Sequence, residues 1–307
     1  MTAAPSLVIL GPTASGKSDV AMALAASHHD VELVAVDAMP VYRRMDIGTA
    51  KPSAADRAQV PHHCLDLVDA ADEFTVTDFA AAAEQAIAGI AASGRRSVLV
   101  AGTGLYLRSV TDPMEVPGRW PEVRAQLEAR VGEEGVEVLH RQLVALDPAA
   151  AAKMEPNNTR RVVRALEVTL GSGRRFSSFG PGVDSYPLIG FRQFGLRWPR
   201  PLLTRRITER VHRMIDAGLV AEVESLAKGP ISRTARQALG YKEIFDVLDG
   251  ACTLDAAITA ITTRTRQFAV RQERWFRRDP RVRWIDIDHD PVATVLPVLE
   301  SEWQSSN

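Results

Sequence analysis

Apolar positions along the chain follow two patterns. Short, mostly apolar strand-like runs occur at 7–10, 32–36, 64–68, 97–101, 193–197 and 282–285. Between them, apolar residues recur at helical spacing over 17–27, 76–93, 201–217, 219–227 and 254–278. Strands alternating with helices predict an α/β fold with a doubly wound parallel sheet. The alternation fails from about 114 to 187. Only helix-like segments occur there, at 122–131, 136–146, 149–154 and 159–170, before the loop "GSGRRFSSFGPG". The pattern predicts a core of residues 1–113 and 188–307, flanked by helices on its sheet, with a helical insertion domain over 114–187.

Composition agrees with that picture and narrows the class. The 307 residues are 46% hydrophobic and 24% charged, as in globular domains. No apolar run reaches the roughly 18 residues of a membrane span, and no charged flank precedes an apolar signal core. The two cysteines, Cys64 and Cys252, form no metal or redox pattern. The pairs His28–His29 and His62–His63 are adjacent, and neighbours on an extended chain point to opposite faces, away from a shared metal. A cytoplasmic protein is expected, and nothing demands an oligomer, so a monomer is expected too.

One short stretch points to chemistry. "GPTASGKS" has the spacing G-x-x-x-x-G-K-[ST] at Gly11, Gly16, Lys17 and Ser18, with Thr13, Ala14 and Ser15 between the glycines. The apolar run "SLVIL" precedes it, and a helical pattern follows with Val20, Ala21, Leu24 and Ala25 on one face. A strand, a turn and a helix N-terminus present backbone N–H groups to an anion. Lys17 would reach the outer phosphate and Ser18 would ligate Mg²⁺. The core is therefore expected to be P-loop NTPase-like. The loop alone leaves open whether the phosphate is hydrolysed, passed to an acceptor by a small-molecule kinase, or expelled as a leaving group. A non-catalytic RNA-binding NTPase also fits. Two acidic residues end apolar runs, Asp37 in "LVAVD" and Asp69 in "CLDLVD". Asp37 lies one strand after the phosphate loop, at the sheet edge where such folds bind ligands.

The net charge of −1 conceals basic clusters. Residues 264–283 hold eight arginines against Glu273 and Asp279, a local charge of +6, with Phe268, Trp275 and Phe276 interleaved. "RRVVR" at 160–164 and "RRITERVHR" at 205–213 add two more. Concentrated basic faces on a neutral chain suit a nucleic-acid binder, although any one of them alone reads equally as a solvated helix face.

The motifs "GPTASGKS", "VDAMPVYRRMDIGTAKP", "VPHHCLDLVD", "VAGTGLYLRSV", "NNTRRVVRALEV", "QALGYKEI" and "TRQFAVRQERWFRR" occur in that order. Together they resemble the bacterial tRNA dimethylallyltransferases, also called tRNA isopentenyltransferases, over about residues 7–286. The resemblance implies transfer of a dimethylallyl group from dimethylallyl diphosphate to N6 of the adenosine immediately 3′ of the anticodon, in tRNAs that read codons beginning with U. It implies Mg²⁺, a diphosphate leaving group held by the N–H groups of Thr13 to Ser18 and by Lys17, and Asp37 as general base. Thr103 is similar to the family threonine beside the reacting centre, and its alternative role is to cap a helix. Contacts to the anticodon stem-loop of tRNA are implied for Asp37, Ala38, Met39, Pro40, Thr103, Arg124, Arg160, Arg161, Arg164, Gln237, Lys242 and Arg271. Spacing puts Arg160 and Arg164 on one helical face. The sequence departs from the family at Ala38, where serine is expected, at Pro40, where glutamine is expected, and at Val270, a common lysine position. Pro40 also gives up its N–H.

Overall fold

The computed structural model describes residues 6–180 and 182–304. Contacts divide the chain into two compact units. One combines the described residues up to Asp112 with those from Tyr186 onward, and the other is Pro113–Ser185.

In the first unit the strands are β1 (Ser6–Leu10), β2 (Val31–Val36), β3 (His62–His63), β4 (Arg96–Ala101), β5 (Phe191–Arg197) and β6 (Val282–Asp286). They form one sheet in the order β3-β2-β4-β1-β5-β6, and every pairing is parallel. The near-continuous apolar runs of the central strands β1 and β4 follow from burial on both faces. Val8 and Leu10 pack into one core cluster, while Leu7 and Ile9 pack into another, as two-residue alternation requires. All four are fully buried. Burying each stabilises the sheet by about 2 kcal/mol.

In the order they follow the strands, the first helices are α1 (Lys17–Ser27), α2 (Ala54–Gln59), α3 (Val76–Ala92) and α4 (Gly104–Thr111). Ser53 with Asp56 and Thr75 with Asp78 form capping boxes that start α2 and α3. The second unit holds α5 (Pro121–Glu134), α6 (Val136–Leu146), α7 (Pro148–Ala151) and α8 (Thr159–Ser172) around Leu127, Leu139, Leu143, Val162 and Leu166. The chain returns to the first unit with α9 (Arg200–Asp216), α10 (Leu219–Ala227), α11 (Arg233–Arg236), α12 (Tyr241–Leu248), α13 (Leu254–Phe276) and α14 (Pro291–Gln304). Among the described residues, no helix is long and apolar enough to cross a membrane.

The strand expected at 64–68 is absent. Pairing stops after His63, because Cys64 and Asp66 adopt positive φ of 62° and 54°, which breaks an extended ladder. Val68 keeps only an isolated bridge to Tyr42.

Candidate active site

Sheet topology brings the candidate residues together. The phosphate loop leaves β1, Thr103 follows β4, and Asp37 follows β2, and these three strands are neighbours. All three loops leave the carboxyl edge of the sheet. Asp37 therefore stands two strand spacings from the phosphate loop, about 10 Å, with Thr103 between. They open onto a cavity of about 1550 Å³ that also takes in Ala38, Met39, Pro40, Gln237, Lys242 and Arg271.

Side chains from within and outside the phosphate loop hold its carbonyls. Trp198 Nε1 donates to the Ser15 carbonyl at 3.0 Å, Arg206 Nε donates to that of Ala14 at 2.8 Å, and Lys17 Nζ donates to that of Pro12 at 2.9 Å. Fixing these carbonyls fixes the amides beside them. The Thr13 amide departs from the sequence expectation, because it donates to Gln272 Oε1 at 2.8 Å and is not free for an anion. The Ser15 amide is engaged too, by the Pro12 carbonyl at 3.3 Å, so the cradle falls to the amides of Ala14 and Gly16 and to the first turn of α1, whose N–H groups lack helical partners. Lys17 sits half-buried at that turn. Desolvation lowers its pKa from 10.5 to about 8, against the opposing attraction of Asp37. Arg210 on α9, which also faces the cavity, adds to the lowering.

Thr103 occupies the N-cap position of α4 but makes no side-chain cap bond. Its hydroxyl instead donates to Asp37 Oδ1 at 3.0 Å, which orients the carboxylate. The backbone beside it is equally close: a Cβ on Gly102 would lie 2.3 Å from Asp37 Oδ2, so any side chain there would displace the carboxylate. Asp69 lies outside the cavity lining and pairs with exposed Arg43.

The "MDIGTAKP" loop forms a wall of the cavity. Glu222 on α10 accepts from the amides of Asp46, Ile47 and Gly48 at 3.0, 2.8 and 3.3 Å and from the Tyr241 hydroxyl at 2.6 Å. Lys51, its side chain 1% exposed, donates to the Tyr42 carbonyl and pairs with Asp46 and Asp66. Motif residues far apart in sequence thus build one rigid wall.

The expected RNA contacts divide. In the second unit Arg160 and Arg161 are exposed. Arg124 and Arg164 are committed to buried Glu167, at 3.3 and 3.0 Å, and Arg164 also donates to the Pro117 carbonyl. Arg160 and Arg164 share a face of α8, but Arg164 is held by an ion pair on that helix while Arg160 is exposed. In the first unit Lys242 pairs with Asp246, and exposed Arg271 lies over the Phe268 ring. The basic run is partly neutralised: Arg264 pairs with Glu243, Arg277 with Glu273, Arg281 with Asp112 and Asp279, and Arg283 with Glu302. Val270 does not line the cavity, so that departure leaves its wall unchanged. The site residues that sequence reasoning missed are Gln272, Arg206, Arg210, Trp198 and Glu222. The spacing of Arg206 and Arg210 in "RRITERVHR" was the one available signal.

Among the described residues, no three His, Cys, Asp or Glu side chains come together as a metal cage. A hydroxyl such as that of exposed Ser18, supplemented by substrate oxygens, suits Mg²⁺, which keeps few protein ligands.

Comparison with known proteins identifies the family. The IPP transferase family model matches residues 40–279. A tRNA dimethylallyltransferase of Kineococcus radiotolerans is 46% identical over 305 residues, covering 96% of each chain. One from Desulforudis audaxviator is 45% identical, covering 98% of this chain and 99% of its own. The crystal structure of a tRNA isopentenylpyrophosphate transferase from Bacillus halodurans superposes with a TM-score of 0.70 at 36% identity, covering 99% of this chain and 98% of that one. A eukaryotic dimethylallyltransferase acting on tRNA superposes with a TM-score of 0.79 at 25% identity, covering 98% and 80%. With a P-loop-type core and a family match over most of its length, the chain belongs to the IPP transferase family.

Proposed function

We propose that the protein transfers a dimethylallyl group from dimethylallyl diphosphate to N6 of the adenosine immediately 3′ of the anticodon, in tRNAs reading codons that begin with U. The observation that carries this reading is the placement of Asp37, oriented by Thr103, across one cavity from the Lys17 phosphate loop. The separation of about two strand spacings suits a diphosphate, the allylic carbon it leaves and an acceptor nitrogen in line. The volume admits a nucleotide turned out of the anticodon loop, which a buried reacting carbon requires.

In the reaction, the bond from the allylic carbon to the diphosphate oxygen breaks and the bond from that carbon to N6 forms. The N6 proton passes to Asp37, whose carboxylate is held facing the acceptor by Thr103. Lys17 and the amides at the start of α1 stabilise the charge that grows on the departing diphosphate. Ser18 and the diphosphate oxygens would hold Mg²⁺, which would neutralise part of that charge. Exposed Arg271 at the cavity would grip an RNA phosphate beside the extruded base, and the helical unit would contribute exposed Arg160 and Arg161 as RNA contacts of its own. The reading is of a monomer that acts in the cytoplasm, where a tRNA substrate would be met.

The test incubates the protein with Mg²⁺, dimethylallyl diphosphate labelled in the alkyl group, and unmodified tRNA. Digestion should recover the label on one adenosine. Label found on no nucleoside, with the donor intact, would refute the assignment.

A further inference from the structure

Gln272 belongs to neither the phosphate loop nor the base, yet it is bonded to both loops. It lies on α13, 6% exposed. Its Oε1 accepts from the Thr13 amide at 2.8 Å, and its Nε2 donates to the Gly102 carbonyl at 2.7 Å. Only this orientation of the amide pairs a donor with an acceptor at both ends. The next residue, Thr103, donates to Asp37. One turn further along α13, Trp275 packs so closely under Gly104 that a Cβ there would lie 2.0 Å from its ring.

Helix α13 thus grips the segment Gly102–Gly104 at two points three residues apart. That segment carries two glycines and would otherwise be loose. From these contacts we infer that Gln272 is a positioning residue that locks the leaving-group loop and the Thr103–Asp37 pair into one unit. The inference rests on the transferase reading above. Its physical content is that the amide fixes the distance between the departing oxygen and the base. A displacement of about 1 Å in such a geometry can cost about 10²-fold in rate. Gln272 touches neither substrate in this scheme, so binding of each should be nearly independent of it.

The experiment is a double-variant cycle read by single-turnover transfer, with full-length enzyme saturated in dimethylallyl diphosphate and tRNA. Gln272→Met keeps the length and packing of the side chain and loses both bonds. Gln272→Glu keeps the acceptor for Thr13 and loses the donor to Gly102. Each should slow transfer by about 10²-fold, while donor KM and tRNA Kd move by less than about threefold. Thr103→Val removes the hydroxyl that orients Asp37. Because Gln272 acts through the same placement, Gln272→Met combined with Thr103→Val should be no more than about threefold slower than the slower single variant. Losses that multiply in the double variant would overturn the inference, as would a Gln272→Met enzyme that transfers at the wild-type rate with only a lowered Tm. If Gln272→Met does not fold, the same cycle with Gln272→Glu decides. Absence of transfer by the wild type would refute the function itself, a separate outcome from multiplying losses.

Discussion

Lys17 gives the account a prediction in pH. Burial lowers its pKa to about 8, so the charge that should hold the donor is lost in a range where an ordinary lysine stays charged. At pH 7 about nine-tenths of the free protein carries the ammonium, and at pH 9 about one-tenth does. The donor has shed its last phosphate proton near pH 6, so its own charge is constant across this window. Affinity for dimethylallyl diphosphate, measured calorimetrically without tRNA so that no transfer occurs, should fall about tenfold between pH 7 and 9. The slope of log affinity should approach −1 above pH 8. Lys17→Arg, whose guanidinium stays charged, should flatten the profile. The gap between 10.5 and about 8 also corresponds to about 3 kcal/mol of cost for holding the charge in the free protein. Because the folded-state pKa is lowered, the unfolded chain binds more protons between pH 8 and 10.5, so stability rises with pH across that window. Lys17→Met should therefore raise Tm at pH 7, with the advantage shrinking above pH 8. Affinity that stays flat to pH 9.5 in the wild type would refute the reasoning, since it would leave Lys17 with an ordinary titration.

Further predictions follow from the other contacts. Asp37→Asn keeps the shape and loses the proton acceptor, so kcat should fall about 10²-fold or more with tRNA affinity little changed, as steady-state kinetics and filter binding will show. Arg161→Ala should weaken tRNA binding and flatten the plot of log K against log salt by somewhat under one unit, with stability within about half a kcal/mol of wild type. Arg124→Ala should instead cost about 1–3 kcal/mol in chemical denaturation, because it removes one of two cations from buried Glu167. Glu222→Ala leaves three amides of the "MDIGTAKP" loop without their acceptor and should cost about 2 kcal/mol, read as a lower denaturation midpoint.

How far the sequence is legible depends on the range of the interaction. Strand β1 and helices α1, α6 and α10 are readable because their apolar periodicity and boundaries are local. Strand β3 is not, since an apolar run at 64–68 cannot reveal that Cys64 and Asp66 turn left-handed. Short helices such as α4 and α12 escape notice because their burial is set by neighbours remote in the chain. Lys17, Asp37 and Thr103 stand out because a phosphate loop and strand-end polar residues carry a positional meaning. Gln272 and Glu222 carry none: a glutamine amid arginines and a glutamate on an amphipathic helix look like solvated positions until the fold sets amides against them. For the same reason Arg124 reads as a free cation, because Glu167 lies 43 residues from it in sequence, whereas the Arg164–Glu167 pair is a local contact three residues apart.

The central claim is that the phosphate loop holds a leaving group, and product stoichiometry under single turnover tests it most directly. With enzyme in excess over unmodified tRNA, saturating dimethylallyl diphosphate, Mg²⁺ and no nucleotide, one inorganic diphosphate should appear for each N6-alkylated adenosine, at the same rate. Diphosphate release without alkylation, a phosphorylated acceptor, or turnover that requires ATP would contradict it.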